Sequence, residues 1–434
     1  MTPQAFLISD SLQLSHIQTS KFKTGVLTLS LSVPLTKENT VFNMILPGVL
    51  RRGTVRYPDM ASLNRRLDEL YASCVELRSH RVGKNLLFSV SAELLDECYA
   101  SDDTQILDGV IDVIAEMLLR PNRTDGTFPD RLVQQEIRFA KDSIRATMNN
   151  TRTYASIRCM ELMNRDNPDF LTLRECEEML SQIDSKALTE YYENVLRRSQ
   201  IRAFYVGSLS PQALTDFLQK HFVTWGNAQA RPVCFPAAEP SVGYRSVTEA
   251  MPVAQGKLAM GFRVGACADG YSNSAFTAIV LNELFGGSAA SKLFLNVRER
   301  MSLCYHCSSS YHPYSGILTV SAGIESKNRE VAESAILQQF EEIRQGSITQ
   351  TELLAAKASL ENSYRQIYDN PFELQSFYGN RALFGWSETV EDCLRRISNV
   401  TVEDVVALAK QAICDTVFFI EGTKAVSSSE EEDS

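Results

Sequence analysis

Histidine is scarce in this 434-residue chain: there are five, at His16, His80, His221, His306 and His312. No two lie four apart, so neither H-x-x-E-H nor H-E-x-x-H occurs anywhere. Those helical zinc motifs need two imidazoles on one face. Basic charge is also short. Lys and Arg number 43 against 53 Asp and Glu, a net charge of −10, and four of the negatives run from Glu430 to Asp433. A mildly acidic body argues against a nucleic-acid partner, which calls for a basic surface. No run of about 18 apolar residues exists, so no membrane span is expected. The start, MTPQAFLISD, has no basic stretch followed by an apolar one, and no signal peptide is expected. The ten cysteines, mostly single among apolar neighbours, read as reduced and largely buried thiols. A cytoplasmic location is the expectation.

What is present is ordinary globular composition, 44% hydrophobic and 22% charged. One compact core rarely exceeds about 250–300 residues, so two domains are expected. The second half echoes the first. Ala140-Lys141-Asp142-Ser143-Ile144 resembles Ala356-Lys357-Ala358-Ser359-Leu360, and Gln182 to Ser185 corresponds to Asn399 to Val402. Ala203 to Gly207 matches Phe418 to Gly422, and Leu67 to Tyr71 echoes Arg300 to Cys304 at a larger offset. The first half therefore carries extra residues between about 75 and 135.

Alternation predicts strands over Val26 to Val33, Leu86 to Ala92 and Ile317 to Ile324. Val133, Ile137, Ala140, Ile144 and Met148 share one face of a helix over Arg131 to Met148. Leu353 to Tyr368 is its counterpart. Asp184, Ser185 and Thr401 are candidate helix caps. The predicted class is α+β: two homologous domains, each a mostly antiparallel sheet packed with helices. The domains are expected at 1–226 and 244–426, with a linker at 227–243 and an acidic disordered tail at 427–434.

Particular motifs then carry a resemblance. Leu284-Phe285-Gly286-Gly287-Ser288 with the following helix, Asn296-Val297-Arg298-Glu299-Arg300-Met301-Ser302-Leu303-Cys304-Tyr305, and Gly53-Thr54 together resemble the insulinase/pitrilysin family of metallopeptidases, over nearly the whole chain. Active members carry H-x-x-E-H, with two His ligands and a Glu base, and a downstream Glu as third ligand. Counting back from Gly53-Thr54, that motif falls on Met44-Ile45-Leu46-Pro47-Gly48. Met44 and Gly48 stand at the ligand positions and Pro47 at the base. Pro47-Gly48 is also expected to weaken the helix. Glu136 matches the first of two downstream acids, and the ligand position falls on Ser143. No metal or other cofactor is expected in this chain, and zinc only in a partner.

Cys304, His306, Cys307 and His312 offer four possible ligands within nine residues. A strand would turn Cys304 and His306 one way and Cys307 the other. No Gly or Pro supplies the tight turn of a zinc knuckle, so packed or half-exposed residues are expected.

In the resembling enzymes an Arg and a Tyr seven residues apart contact the substrate carbonyl, where a fixed cation and a phenol stabilise developing charge. Arg298 and Tyr305 have that spacing. The bland alternative is a surface Arg and a Tyr packed on the sheet. Gly286, Gly287 and Ser288 are read either as a substrate-contacting loop or as a helix C-cap and turn. Loss of the metal residues beside retention of Arg298 and Tyr305 resembles the non-catalytic chains of heterodimeric members. The resemblance thus implies a zinc-bearing partner chain, a peptide substrate, and no activity alone. Three alternatives remain: a scaffold, a peptide-binding module that never cleaves, and an active peptidase with a misread site.

Overall fold

The computed structural model describes residues 1–226, 243–265 and 273–423. The expected acidic tail, and the expected linker apart from Gly243, lie outside the described residues. In chain order the strands and helices begin with β1 (Gln4–Ser9), β2 (Leu12–Gln18), β3 (Thr24–Pro34), α1 (Lys37–Arg51), α2 (Met60–Glu69), β4 (Cys74–Val82) and β5 (Asn85–Leu95). There follow α3 (Ile106–Leu119), α4 (Asp130–Asn149), α5 (Thr151–Met163), α6 (Leu173–Leu180), α7 (Ser185–Arg198), β6 (Gln200–Gly207) and α8 (Pro211–Phe222). The second half holds β7 (Arg245–Met251), β8 (Gly256–Arg263), α9 (Asn273–Asn282), π-helical segments at Glu283–Gly287 and Leu293–Arg300, β9 (Cys304–His312) and β10 (Ile317–Ile324). It closes with α10 (Arg329–Arg344), α11 (Gln350–Gln366), α12 (Pro371–Leu383), α13 (Val390–Asn399), α14 (Val402–Gln411) and β11 (Ile413–Gly422).

The predicted strands and helices are found within a few residues of their expected ends. Val133, Ile137, Ala140 and Ile144 are buried on α4, as the 3.6-residue period requires. Asp184 caps α7 by accepting from the Ala187 amide, and Thr401 caps α14 with Asp404 closing a capping box.

Two mixed sheets, mostly antiparallel, repeat one topology. The first has order β1-β2-β6-β3-β5-β4 and the second β7-β11-β8-β10-β9. Set β1 aside, and each strand of the first has a counterpart in the second, in the same chain order and place. Each sheet has one parallel pair, β2 with β6 and β7 with β11. The extra residues of the first half lie between β5 and α4.

The compact units do not coincide with the sequence halves. Arg145–Thr172, which contains α5, belongs to the second unit, and Gln366–Ser387, which contains α12, belongs to the first. Expected boundaries at 1–226 and 244–426 do not contain this exchange. Packing explains it. Ala155, Cys159 and Met163 of α5 form a core with Ala259, Ile317, Phe418 and Ile420 of the second sheet. A Cβ on Gly261 would lie 2.2 Å from the Met163 sulfur, so glycine leaves room for that helix. Arg263, paired with buried Asp415 at 2.7 Å, also donates to the Met163 carbonyl that ends α5. In the first unit α12 packs on β6 and β3 and buries Leu374, Phe377, Tyr378, Arg381 and Leu383. Hydrophobic period identifies a buried face but not which sheet will cover it.

Candidate functional site

Helix α1 carries the three positions that replace the metal motif. It runs unbroken from Lys37 to Arg51 with Pro47 inside it, so the expected weakening does not end the helix. Pro47 has no N–H to offer the Asn43 carbonyl. Packing compensates: Val41, Ile45, Leu46, Val49 and Leu50 are buried on both sides of the proline. Asn43 is buried too. Its Nδ2 donates to the Asn39 carbonyl at 2.9 Å and to the Tyr191 hydroxyl of α7. Its Oδ1 has no hydrogen-bond partner.

Met44 is 39% exposed. Gly48 faces Glu136 of α4: a Cβ built on Gly48 would stand 2.0 Å from Glu136 Oε2. The Glu136 carboxylate therefore fills the space that a side chain at 48 would enter. Its other oxygen is held by Arg52, with Nη2 at 2.5 Å and Nε at 2.6 Å. Ser143 lies two turns further along α4 and is exposed. These residues do not fit zinc. Pro47 and Gly48 supply no donor, Met44 offers only a thioether, and the one carboxylate nearby is neutralised by a guanidinium. Arg52 lies four residues after Gly48, on the same helical face, and that spacing was legible. The approach of Glu136 and Tyr191 from distant helices was not.

Beside α1 lies a cleft of ≈ 830 Å³ within the first unit, lined by Asn43, Met44 and Pro47, by β4 from Cys74 to His80, and by α12 through Phe372 and Gln375. Its floor is a polar sheet face. Thr28 bonds Ser91 at 2.9 Å, Ser30 bonds Ser89 at 3.0 Å, and Thr24 donates to Glu93 at 2.9 Å. β4 is the edge strand, hydrogen-bonded only to β5 among the described residues.

The second unit holds the other predicted residues. Gly286 is buried in a π-helical segment, and a Cβ there would come within 2.7 Å of the Ser309 amide of β9. Close helix–strand approach thus accounts for this glycine, and it is neither a C-cap nor a free loop. Gly287 is exposed and Ser288 half-buried. Arg298 sits in the last turn of the Leu293–Arg300 segment, its guanidinium 4.6 Å from the Phe294 ring centroid and 3.6 Å from Glu299. Tyr305 is 67% exposed, so it is not packed on the sheet. The turn between them includes Ser302 at φ 51°, and Leu303 N–H reaches the Val297 carbonyl. The Arg298 charge is felt at Cys304 and His306, the two neighbours of Tyr305.

The expected alternation at the start of β9 is overturned. Cys304 opposes Ile324 and His306 opposes Gly323, so Tyr305 is an extra residue in a β-bulge. The bulge inverts the alternation, and Cys304 and Cys307 share the buried face. His306 and His312 lie on the opposite face, six residues apart. The four residues do not converge on one point, and no metal-binding cluster is found among the described residues.

Comparison with known proteins decides the family. Over 412 residues the chain is 31% identical to the "Probable inactive metalloprotease YmfF" of Bacillus subtilis, covering 95% of this chain and 96% of that one. The chain belongs to the insulinase/pitrilysin (M16) family. Residues 182–360 match the family description "Peptidase M16 inactive domain". A crystal structure of a conserved protein from Enterococcus faecalis superposes with a TM-score of 0.88 at 26% identity, over 97% of this chain and 99% of that one. A peptidase M16 inactive domain from Pseudomonas fluorescens shares the fold, with a TM-score of 0.79 at 15% identity over 98% and 99% of the two chains. This M16 chain is an inactive peptidase homologue. Among its described residues no helix is long and apolar enough to cross a membrane.

Proposed function

We propose that this chain is the non-catalytic subunit of a zinc-peptidase heterodimer. It binds the peptide substrate and supplies Arg298 and Tyr305 in trans to a zinc-bearing M16 partner. The observation that carries this reading is an asymmetry. In the first unit Gly48 of α1 is covered by an Arg52–Glu136 pair, while the second unit keeps Tyr305 in solvent, next to a Cys304 at which the Arg298 charge is felt. A packing residue would be buried, whereas a phenol meant for a substrate carbonyl must be reachable. Gly287 and Ser288 are the accessible part of the glycine turn and are assigned to peptide contact, with Gly286 setting their position. Zinc belongs to the partner alone. A reducing, cytoplasmic setting suits the free thiols of Cys74, Cys98, Cys159, Cys304, Cys307 and Cys414.

The test is reconstitution. The full chain is co-purified with a zinc-bearing relative and assayed on a mixed peptide library. Arg298→Ala is expected to lower turnover by about 10²–10³-fold, the cost of removing one preorganised donor for developing charge. Tyr305→Phe is expected to lower it less. Undiminished turnover in both variants of an active complex would falsify the trans role.

A second reading, a peptide-binding or scaffold protein with no proteolytic role, is favoured by the cleft. An edge strand beside a polar sheet face accommodates an extended peptide by adding a strand, with no need of metal or partner. Peptide binding by the isolated chain, with no gain of cleavage when relatives are added, would establish it.

A further inference from the structure

Cys304 and Cys307 are the feature of the second unit that the proposed peptidase role leaves unused. Both are buried, at 7% and 4% exposure. They stand opposite Ile324 and Ala322, same-face neighbours on β10. Two residues of strand span about 6.6 Å, at the upper end of the Cα separations that disulfides bridge. Each thiol shifts the protonation of the other, as close neighbours do. Without the bulge at Tyr305 the sequence Cys-Tyr-His-Cys would place them on opposite faces. The bulge is therefore what makes them a pair.

We infer that Cys304 and Cys307 are a redox-active dithiol that closes to a disulfide when a peroxide oxidises it. The two sulfurs are unlike. The neighbouring Cys307 thiol, aided by the Arg298 charge, holds the Cys304 thiol below the usual range against the opposing effect of burial. The same contact, together with burial, pushes the Cys307 thiol up. Cys304 is thus the more acidic, attacking thiol and Cys307 the resolving one. The Cys304 sulfur attacks one peroxide oxygen and the O–O bond breaks. This leaves a sulfenic acid, and the departing hydroxide takes a proton to become water. The Cys307 sulfur then attacks the Cys304 sulfur. The S–O bond breaks, and hydroxide leaves with the Cys307 proton as a second water. Two thiols and one peroxide give one disulfide and two waters, and the sulfurs supply both electrons. Closure pins the bulge that presents Tyr305. This inference stands whether or not Arg298 and Tyr305 serve a substrate.

Trypsin provides a direct readout, because the fragment Met301–Lys327 contains both thiols and no other cysteine. The full-length protein is treated with hydrogen peroxide, unfolded in iodoacetamide and digested. The expected fragment is unalkylated, lighter than the dithiol by two hydrogens, and returned to the dithiol by dithiothreitol. Exposed Cys74 and Cys98 report that the oxidant was sufficient. Cys304→Ser and Cys307→Ser, each confirmed as folded by its thermal transition, should abolish the lighter fragment. In the unaltered protein, equilibration across graded dithiothreitol redox ratios should convert the fragment in one two-electron step. A fragment that stays doubly alkylatable while Cys74 and Cys98 are fully oxidised overturns the inference. So does a disulfide from either cysteine to another fragment.

Discussion

The two units share a sheet topology and differ in what occupies the same architectural places. In the first unit the turn before the edge strand holds Tyr71 and Ala72 in the left-handed region. In the second the matching turn holds Ser302 at φ 51°, and the strand beyond it starts with a bulge. The first unit sets an ion pair, Arg52 with Glu136, against Gly48 of α1. The second keeps Arg298, and an exposed Tyr305 at the start of its edge strand. Duplication preserves what the core needs, the strand order and the inward-facing residues. Surface chemistry diverges, because altering an exposed residue seldom costs more than a few tenths of a kcal/mol.

The comparison breaks most visibly if matched core residues are not equivalent. Phe204 of β6 and Phe419 of β11 occupy corresponding places and are both buried. Phe204→Ala and Phe419→Ala should each cost about 3–5 kcal/mol in denaturant unfolding. A negligible loss at one of them would show that the repeat is topological only.

Gly48→His probes the divergence directly. The new side chain meets Glu136, so overpacking should lower stability by about 1–3 kcal/mol. With Met44→His added, the protein should still hold no stoichiometric zinc by elemental analysis. One equivalent of bound zinc would mean that the site survives in latent form.

A smaller effect separates the units by pH. Burial, then the charges of Arg152, Lys257 and Arg298, lower the His306 pKa from 6.5 to about 4. The folded protein holds this imidazole neutral, so the unfolded chain takes up the proton first on acidification. Its contribution is fully present above pH 6.5, falls as pH drops through that value, and levels off below about 4. His306→Asn should flatten the stability profile in that window. The other four histidines are also lowered mainly by burial and should retain the rest of the slope. An unchanged profile in the variant would remove His306 from the account.

The least effect belongs to the caps. Asp184→Ala on α7 and Thr401→Ala on α14 should each cost about 1 kcal/mol. Thr401 should cost more, because its loss also opens the capping box with Asp404. Equal midpoints in thermal unfolding would show that the box adds nothing to the single bond.

Much of this was legible from the residues in order. The period of apolar residues marked α4, α11 and the central strands. The repeat implied two like units, and the missing histidines excluded a zinc motif without any alignment. Less legible was everything that depends on which distant surfaces meet. The buried face of α5 is evident in Ala155, Cys159 and Met163, yet nothing local says that the second sheet covers it. Helix propensity counted against Pro47-Gly48, but burial on either side of the proline outweighs it, since packing terms exceed propensity terms by severalfold.

The sequence by itself determined the α+β class, the duplication, the absence of a paired-histidine zinc motif and the spacing of Arg298 and Tyr305, because periodicity, residue chemistry and count are local properties. Only the tertiary structure decided that α5 and α12 change units, that Glu136 fills the space a side chain at 48 would enter, and that one extra residue at Tyr305 puts Cys304 and Cys307 on one face. Those outcomes are set by long-range packing and by strand register, where a shift of one residue turns every following side chain to the other face.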